Sequence, residues 1–394
     1  PSKMLIHCAD VMDTIKSAPI FGIQATVQGI DWKHIIARVN DEVDTDARTI
    51  EAGNRQADNV TVFKGRGSFV GPKTMEVNGE QISAETVLIA AGTRPMVPEI
   101  PGLDRVPYIT TDEAVRLPQQ PRRLATLGGG YIAAEMAHLF GALGTEVTLI
   151  HRGPQLLRAE DDVARRFTEV FQRKINMLLN TQISRADSRG DEIVLRLSTN
   201  GSTSEVAADG LLVATGRGPN TDVLNVAAAG VEVDERGYVK TDEFLGTNVP
   251  GVWALGDIFG KYLLKHSANL EASYAGNNIF NPESKFAVDY NAMRHAIFAS
   301  PQVAGVGLTE SEAKAQGIDY AVASYDYYNT AYGSFSEDRN GFVKVLAERG
   351  SGEILGAHII GTDASMLIQE VVNAMREGIT VPGSPSRSTC IQRC

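Results

Sequence analysis

An apolar strand, a glycine-dense turn, a helix and a second apolar strand follow one another between Leu124 and Ile150. Two further apolar strands end in similar glycine–arginine turns, Ala91-Gly92-Thr93-Arg94 and Thr215-Gly216-Arg217, and consecutive strands with few helices fill the chain from Ala296 onward. These three observations predict an α/β fold with two Rossmann-like dinucleotide-binding domains and a C-terminal α+β domain. At 394 residues the chain exceeds one hydrophobic core, so several domains are expected.

The first observation is the run LATLGGGYIAAEMAHLFGALGTEVTLIHRGPQLLR, Leu124 to Arg158. Gly128 allows the tight turn, Gly130 lets backbone amides approach a pyrophosphate, and the small Ala133 lets helix and strand pack closely. The pyrophosphate would rest on the positive end of the helix that starts near Tyr131. About 20 residues after such glycines, an acid usually binds the ribose 2′-hydroxyl of NAD. Here the strand ends in His151-Arg152, with Arg158 beyond, a cationic pattern that suits the 2′-phosphate of NADPH over NADH. Two solvated surface arginines are the alternative.

The second observation pairs Thr86–Ala91, running into Gly92-Thr93-Arg94-Pro95, with Leu211–Ala214, running into Thr215-Gly216-Arg217. Two copies of one ending point to two similar nucleotide domains. Coincidence between two buried parallel strands is the alternative. A further strand closes in Gly256-Asp257, which puts a carboxylate at the carboxyl edge of a sheet, where it can accept hydrogen bonds from sugar hydroxyls. A helix from about Leu264 to Phe280 follows it.

The third observation comprises strands at Pro301–Val306, Ala321–Tyr327, Phe342–Ala347 and Ile354–Gly361. A helix at Thr309–Gln316 opens with a Thr-x-x-Glu capping box, and another at Met366–Glu377 closes the domain. Periodicity also predicts helices at Lys3–Met12, Trp32–Val43 and Asp161–Lys174. Short strands are expected within Val60–Val77, a meander at Ile183–Glu205 and a proline-rich connector at Pro95–Pro107.

A net charge of −11 argues against nucleic acid as the main partner. No run of ~18 apolar residues exists to span a membrane, and no signal-peptide pattern precedes the first helix, so a cytoplasmic protein is expected. Cys8, Cys390 and Cys394 form neither a disulfide framework nor a zinc pattern, and no metal is expected.

Together these motifs resemble the class I flavoprotein pyridine nucleotide-disulfide oxidoreductases. GGGYIAAE is similar to that family's NAD(P) turn, VWALGD to its second FAD motif, LLKHSANLEA to the helix facing the flavin, and GFVKVLAERGSGEILGAHIIG to its interface domain. The resemblance implies FAD and NADPH as cofactors, with NADH possible, a small-molecule disulfide as substrate and a homodimer in the full-length parent. It implies a partial FAD-binding domain at 1–113, an NAD(P)-binding domain at 114–236, a return to the FAD domain at 237–290, an interface domain at 291–380 and an aberrant tail at 381–394. Within the family, VTLIHRGPQLLR, YLLKHSANLEA and the Tyr332-Gly333 loop are most similar to the branch that reduces mycothione with NADPH. The branch that uses NAD and lipoamide, which usually carries Glu where His151 stands, is the alternative.

Site roles follow from the same resemblance. On the flavin side, Ala91, Gly92, Thr93, Gly216 and Arg217 match the strand ends. Gly256 and Asp257 match the turn that binds the ribityl chain, and Leu264, His266 and Ala268 the helix start near the flavin pyrimidine. On the nicotinamide side stand Gly128, Gly130, Ala133, Arg152 and Arg158. Tyr131 matches an aromatic lid over the flavin, and Lys3 with Glu135 an ion pair near flavin N5 that would serve catalysis. A packing tyrosine and a surface lysine beside a helix glutamate are the plainer readings. His295 and His358 are expected to be interface-domain structure. The family's CxxxxC, its first FAD-binding βαβ unit and its His-Pro-x-x-x-Glu element lie outside these 394 residues. A catalytically incompetent nucleotide-binding fragment is therefore an alternative expectation, as is a frameshift at Cys390–Cys394.

Overall fold

A computed structural model describes residues 1–381, so the expectations for Pro382–Cys394, including Cys390 and Cys394, lie outside the described residues. The chain forms two compact units, one from residues 1–44, 97–215 and 291 onward, the other from residues 45–96 and 216–290.

In the first unit a parallel sheet runs in the order Gly210–Val213, Arg123–Leu127, Glu146–Ile150, Asn176–Leu178. Numbered along the chain from Arg123, the order is 4-1-2-3, so the direction of winding reverses between the first strand and the fourth. Ligands of open α/β sheets bind at the carboxyl end of such a switch point. Leu127 and Val213 end there, and the glycine turn follows Leu127 directly. The helix Tyr131–Ala142 is buried almost all round, from Ala133 to Phe140, because the helix Ser2–Ser17 covers the side that faces away from the sheet, with Leu5, Ile6 and Ala9 buried in the same core. Trp32 stacks on Phe140 with centroids 5.4 Å apart and donates its indole N–H to the Leu117 carbonyl at 2.8 Å.

A meander of Thr181–Arg189, Glu192–Thr199 and Ser202–Ala208 lies in the same unit. A five-stranded antiparallel sheet runs in the order Arg294–Ile297, Gln302–Gly307, Ile354–Gly361, Phe342–Glu348, Tyr320–Asp326. The helix Ala364–Arg376 lays Ile368, Val371 and Val372 against Ala304, Val306 and Ile359 of that sheet. The capping box predicted at Thr309 is present, with Thr309 and Glu312 exchanging side-chain and backbone hydrogen bonds.

In the second unit Val87–Ile89 pairs in parallel with Val252–Ala254, and Thr93–Pro95 pairs antiparallel with Arg217–Pro219. A three-stranded sheet, Gly67–Gly71, Thr74–Val77 and Glu80–Ser83, packs Phe69 into a core with Ile89, Val226 and Ile258. The helix Lys265–Phe280 contributes Ala275 to a cluster with Leu245, Trp253 and Leu255.

Several expectations are corrected. The helix predicted at Trp32–Val43 continues to Gln56; its second half has no apolar stripe and is supported by polar pairs such as Arg55 with Glu51 at 3.0 Å. The strands expected from Val60 begin only at Gly67, and Glu80–Ser83 joins them. Asn176–Leu178 and Arg294–Ile297 are strands the sequence did not announce, being short and supported by partners distant along the chain.

One buried charge cluster ties the α+β domain to the nucleotide sheet within the first unit. Lys344, 2% exposed, donates to Glu160 at 2.6 Å, Asp162 at 2.8 Å and Glu310 at 2.8 Å. Burial alone would lower the Lys344 pKa, but its hydrogen bonds to the three carboxylates win and raise it. The Lys344 hydrogen bond, helped by Tyr320 and Lys314, pulls Glu310 down from 4.5 to about 2.

Two outcomes follow. Phe140→Ala should lower unfolding free energy by about 3–5 kcal/mol in denaturant titration, since it opens a cavity against Trp32. Because the folded pKa of Glu310 lies below its unfolded value, its contribution is present above pH 4.5 and lost as pH falls toward about 2. The stability gap between the wild type and Glu310→Gln, followed by thermal unfolding, should be full at pH 7 and shrink across that acid window.

Candidate functional site

The glycine turn of the first unit separates two uses of glycine. Gly128 has φ +143°, and a Cβ there would strike the Ala214 carbonyl oxygen and approach the Ala133 methyl at 3.3 Å. Backbone angle and packing therefore both demand glycine at Gly128. Gly130 is different. Its φ of −86° suits any residue, and nothing lies within 4 Å of a Cβ placed on it. Glycine at Gly130 serves neither fold nor packing, and it leaves open space in front of a helix N-terminus that no side chain caps. That arrangement fits a pyrophosphate.

Gly129 and Gly153, to which the sequence reading gave no role, make room for His151. A Cβ on Gly129 would meet its ring carbons at 2.5 Å, and one on Gly153 would meet its Nε2 at 2.7 Å. Burial first, then the positive charge of Arg152, holds the His151 imidazole below its ordinary value of 6.5, against a hydrogen bond with the Gln155 backbone. At pH 7 the end of this strand carries a neutral ring where an NAD site would carry a carboxylate. Arg152 and Arg158 are both exposed. The loop that bears them is pinned by Leu156 N–H on Thr168 Oγ1 at 2.9 Å and Leu157 N–H on the Gly129 carbonyl at 2.7 Å. Leu157 takes φ +66°, a conformation that a leucine holds only where its surroundings over-determine it.

On the nucleotide helix, Tyr131 is 37% exposed at the N-terminus, whereas Glu135 is 3% exposed. The Glu135 carboxylate accepts from Lys3 Nζ and from the Phe298 N–H at 3.0 Å. Lys3 Nζ also lies 4.5 Å above the Phe298 ring. The expected Lys3–Glu135 pair thus exists, and Phe298, which the sequence reading missed, completes it. One turn on, buried His138 pairs with Asp10 at 3.0 Å. His358 is likewise buried structure, its Nε2 3.0 Å from the Leu308 carbonyl.

In the second unit the Gly92-Thr93-Arg94 and Gly216-Arg217 endings meet. Arg217 donates from Nε to Thr93 Oγ1 at 2.8 Å and from Nη2 to the Thr93 carbonyl at 2.7 Å, and Thr93 Oγ1 donates to Asp257 Oδ2 at 3.1 Å. Arg217 therefore orients the Asp257 turn through Thr93. Ala91 is fixed by Asn220, which donates to its carbonyl at 2.8 Å. Gly92, at φ +63°, and Gly216, at φ +134°, both border open space. Asp257 is half-buried, with Oδ2 accepting from Thr93, and a carboxylate's second oxygen is a further acceptor. Leu264 caps the following helix with its backbone, His266 is exposed, and Ala268 lies half-buried against Gly256, 3.5 Å from a Cβ placed there.

Beneath this turn lies Glu271, fully buried, which accepts from the Gly256 N–H at 2.6 Å and from the Tyr290 hydroxyl at 3.0 Å. Burial raises its pKa and the Asp257 charge adds to that, while the Gly256 and Tyr290 hydrogen bonds oppose them. The sequence reading missed Glu271. Its signal was present in the spacing of Ser267, Glu271, Ala275 and Asn278, a buried helical stripe with one carboxylate on it.

A family model described as pyridine nucleotide-disulphide oxidoreductase matches residues 2–273, and the model of that family's dimerisation domain matches residues 293–389. Mycothione reductase of Mycobacterium tuberculosis is 40% identical over 392 residues, which cover 96% of this chain and 84% of that protein. Dihydrolipoyl dehydrogenase of Chlamydia muridarum is 34% identical over 392 residues, covering 97% of this chain and 82% of that protein. Among solved structures, the HOCl-induced flavoprotein disulfide reductase RclA from Escherichia coli superposes with a TM-score of 0.83 at 25% identity, covering 98% of this chain and 86% of that one.

The two glycines should respond differently to one added methyl. Gly128→Ala should lower the unfolding temperature sharply, since strain and collision coincide there. Gly130→Ala should unfold like the wild type yet bind nicotinamide nucleotide about tenfold more weakly by calorimetry. Equal nucleotide affinity in Gly130→Ala would remove the turn from the binding site.

Proposed function

The chain belongs to the pyridine nucleotide-disulphide oxidoreductase family, and we propose that within it the protein is an NADPH-dependent reductase of a low-molecular-weight disulfide, with mycothione as the substrate. The observation that carries this reading is the end of the nucleotide strand. Neutral His151 stands where an acid would select NAD, and the exposed Arg152 and Arg158 follow. A carboxylate there would repel a 2′-phosphate, whereas two guanidinium groups can hold one by paired charge-assisted hydrogen bonds.

FAD and NADPH, when bound, supply the two-electron chemistry, by which NADPH and a proton convert one disulfide to two thiols and the S–S bond is broken. The chain's own residues bind and orient. The amides from Gly128 to Gly130 and the helix they open hold the pyrophosphate. Asp257, aligned by Thr93 and Arg217, accepts from a sugar or ribityl hydroxyl. Glu135 holds the ammonium of Lys3, which serves as the flavin-adjacent cation that favours the reduced flavin. Tyr131 acts as the lid that nicotinamide displaces. Among the described residues no helix is long and apolar enough to cross a membrane, and the proposed setting is a cytoplasmic homodimer assembled through the dimerisation domain.

A second reading, an NAD-linked dihydrolipoyl dehydrogenase, is favoured by the 34% identity to the chlamydial enzyme. Steady-state kinetics on the FAD-loaded, full-length protein separate the two. We expect kcat/KM for mycothiol disulfide to exceed that for lipoamide by at least about tenfold, and His151→Glu to move nucleotide preference toward NADH. Faster turnover of lipoamide with NADH would establish the second reading instead.

A further inference from the structure

We propose that Lys344, a residue of the C-terminal α+β domain, is a positioning residue for the nicotinamide nucleotide: through Glu160 it fixes the loop that presents Arg152 and Arg158 to the 2′-phosphate. The inference rests on the NADPH reading and adds to it a determinant that lies outside the nucleotide-binding sequence.

The loop from His151 to Glu160 has no regular structure, and both of its arginines reach into solvent. Where their guanidinium groups stand is therefore decided by how the loop backbone is anchored. Several anchors are internal to the nucleotide module. They include the His151 N–H on the Leu178 carbonyl at 2.9 Å, the Thr181 N–H on the His151 carbonyl at 3.0 Å, the Asn180 N–H on the Gly153 carbonyl at 3.0 Å, the Leu156 N–H on Thr168, and the Leu157 N–H on Gly129. These hold the loop as far as Leu157; beyond Arg158 an anchor comes from the other domain. Glu160, 3% exposed and two residues past Arg158, receives Lys344 Nζ at 2.6 Å on one oxygen and the Glu310 N–H at 2.9 Å on the other.

The helix that Glu160 opens is clasped from the same side. Arg166 donates to the Asn340 carbonyl at 3.0 Å and lies 5.4 Å from the Phe342 ring. Lys344 is the cation shared by Glu160, Asp162 and Glu310, and the carboxylate oxygens of that trio lie within 4.8 Å of one another. Neutralising Lys344 leaves three close negative charges, one of them deeply buried, and breaking such a pair from one side is strongly unfavourable. Asp162 and Glu310 are partly exposed and can turn their charges to water, whereas buried Glu160 can be relieved only if the loop end moves, and that movement carries Arg158 with it. Binding of the 2′-phosphate should suffer, while the adenosine and pyrophosphate contacts near Gly130 should not.

The test uses the FAD-loaded, full-length protein, with Lys344→Met and Glu160→Gln as variants and adenosine 2′,5′-bisphosphate and 5′-AMP as calorimetric probes. In Lys344→Met the dissociation constant for the bisphosphate should rise about tenfold, with that for 5′-AMP changed less than about twofold. KM for NADPH should rise in parallel, with kcat and the flavin absorbance spectrum retained. Glu160→Gln keeps the cation but removes the charge through which Lys344 holds the loop end; it should shift the same ratio in the same direction by about threefold, and it carries the test if Lys344→Met does not fold. Equal weakening of both probes, or an unchanged ratio beside a lowered unfolding temperature, would show a strut that supports the domain without positioning the arginines, and would overturn the inference. A wild-type protein that binds the two probes equally would overturn the NADPH reading and this inference with it, a result distinct from variants that keep the discrimination of the wild type.

Discussion

The close approach at Gly128 sets the geometry of the first unit. Its α-carbon stands against the Ala214 carbonyl at one side and the Ala133 methyl at another, so any side chain there would push the nucleotide strand, its helix and the neighbouring strand apart. With the helix drawn in this far, residues from Ala133 to Phe140 lose their water. A helix buried on every side cannot leave its polar groups unmatched. Glu135 and His138, one turn apart, are met by Lys3 and Asp10 on the helix Ser2–Ser17, and that helix is held in place by the contacts it satisfies. The Lys3–Glu135 and Asp10–His138 pairs thus belong to the packing of these two helices.

The same logic operates with charges at the other end of the nucleotide strand. The loop after Ile150 is irregular, contains a leucine in the left-handed region and carries exposed arginines, so its shape has to be imposed by its surroundings. Glycines at Gly129 and Gly153 accept the His151 ring, Thr168 takes an amide, and the Lys344 cluster holds the loop's last residue. In the second unit Arg217, Thr93 and Asp257 form a comparable chain, with Glu271 below it bonded to Gly256. In each place a residue proposed to touch ligand is set by a neighbour that is not.

Much of this was legible in the sequence where the signal is local. The strands Glu146–Ile150 and Ile354–Gly361 carry their own apolar pattern, the Thr309 capping box lies within four residues, and the glycine turn and Gly256-Asp257 announce their backbone needs directly. Elements stabilised by distant partners were not legible. Asn176–Leu178 is a short edge strand defined by its neighbour Glu146–Ile150, and the second half of Trp32–Gln56 is helix without an apolar stripe. Site residues divide along the same line. Glycines and acids in motifs could be named in advance, whereas Lys344 lies 184 positions from Glu160 and acquires its role only when the chain folds.

Whether this nucleotide module is built for a 2′-phosphate is tested most directly by mixing the FAD-loaded, full-length protein anaerobically with equal concentrations of NADPH or NADH and following the loss of flavin absorbance. Second-order reduction by NADPH should be faster by at least about tenfold. Equal rates, or faster bleaching by NADH, would contradict a module built for the 2′-phosphate.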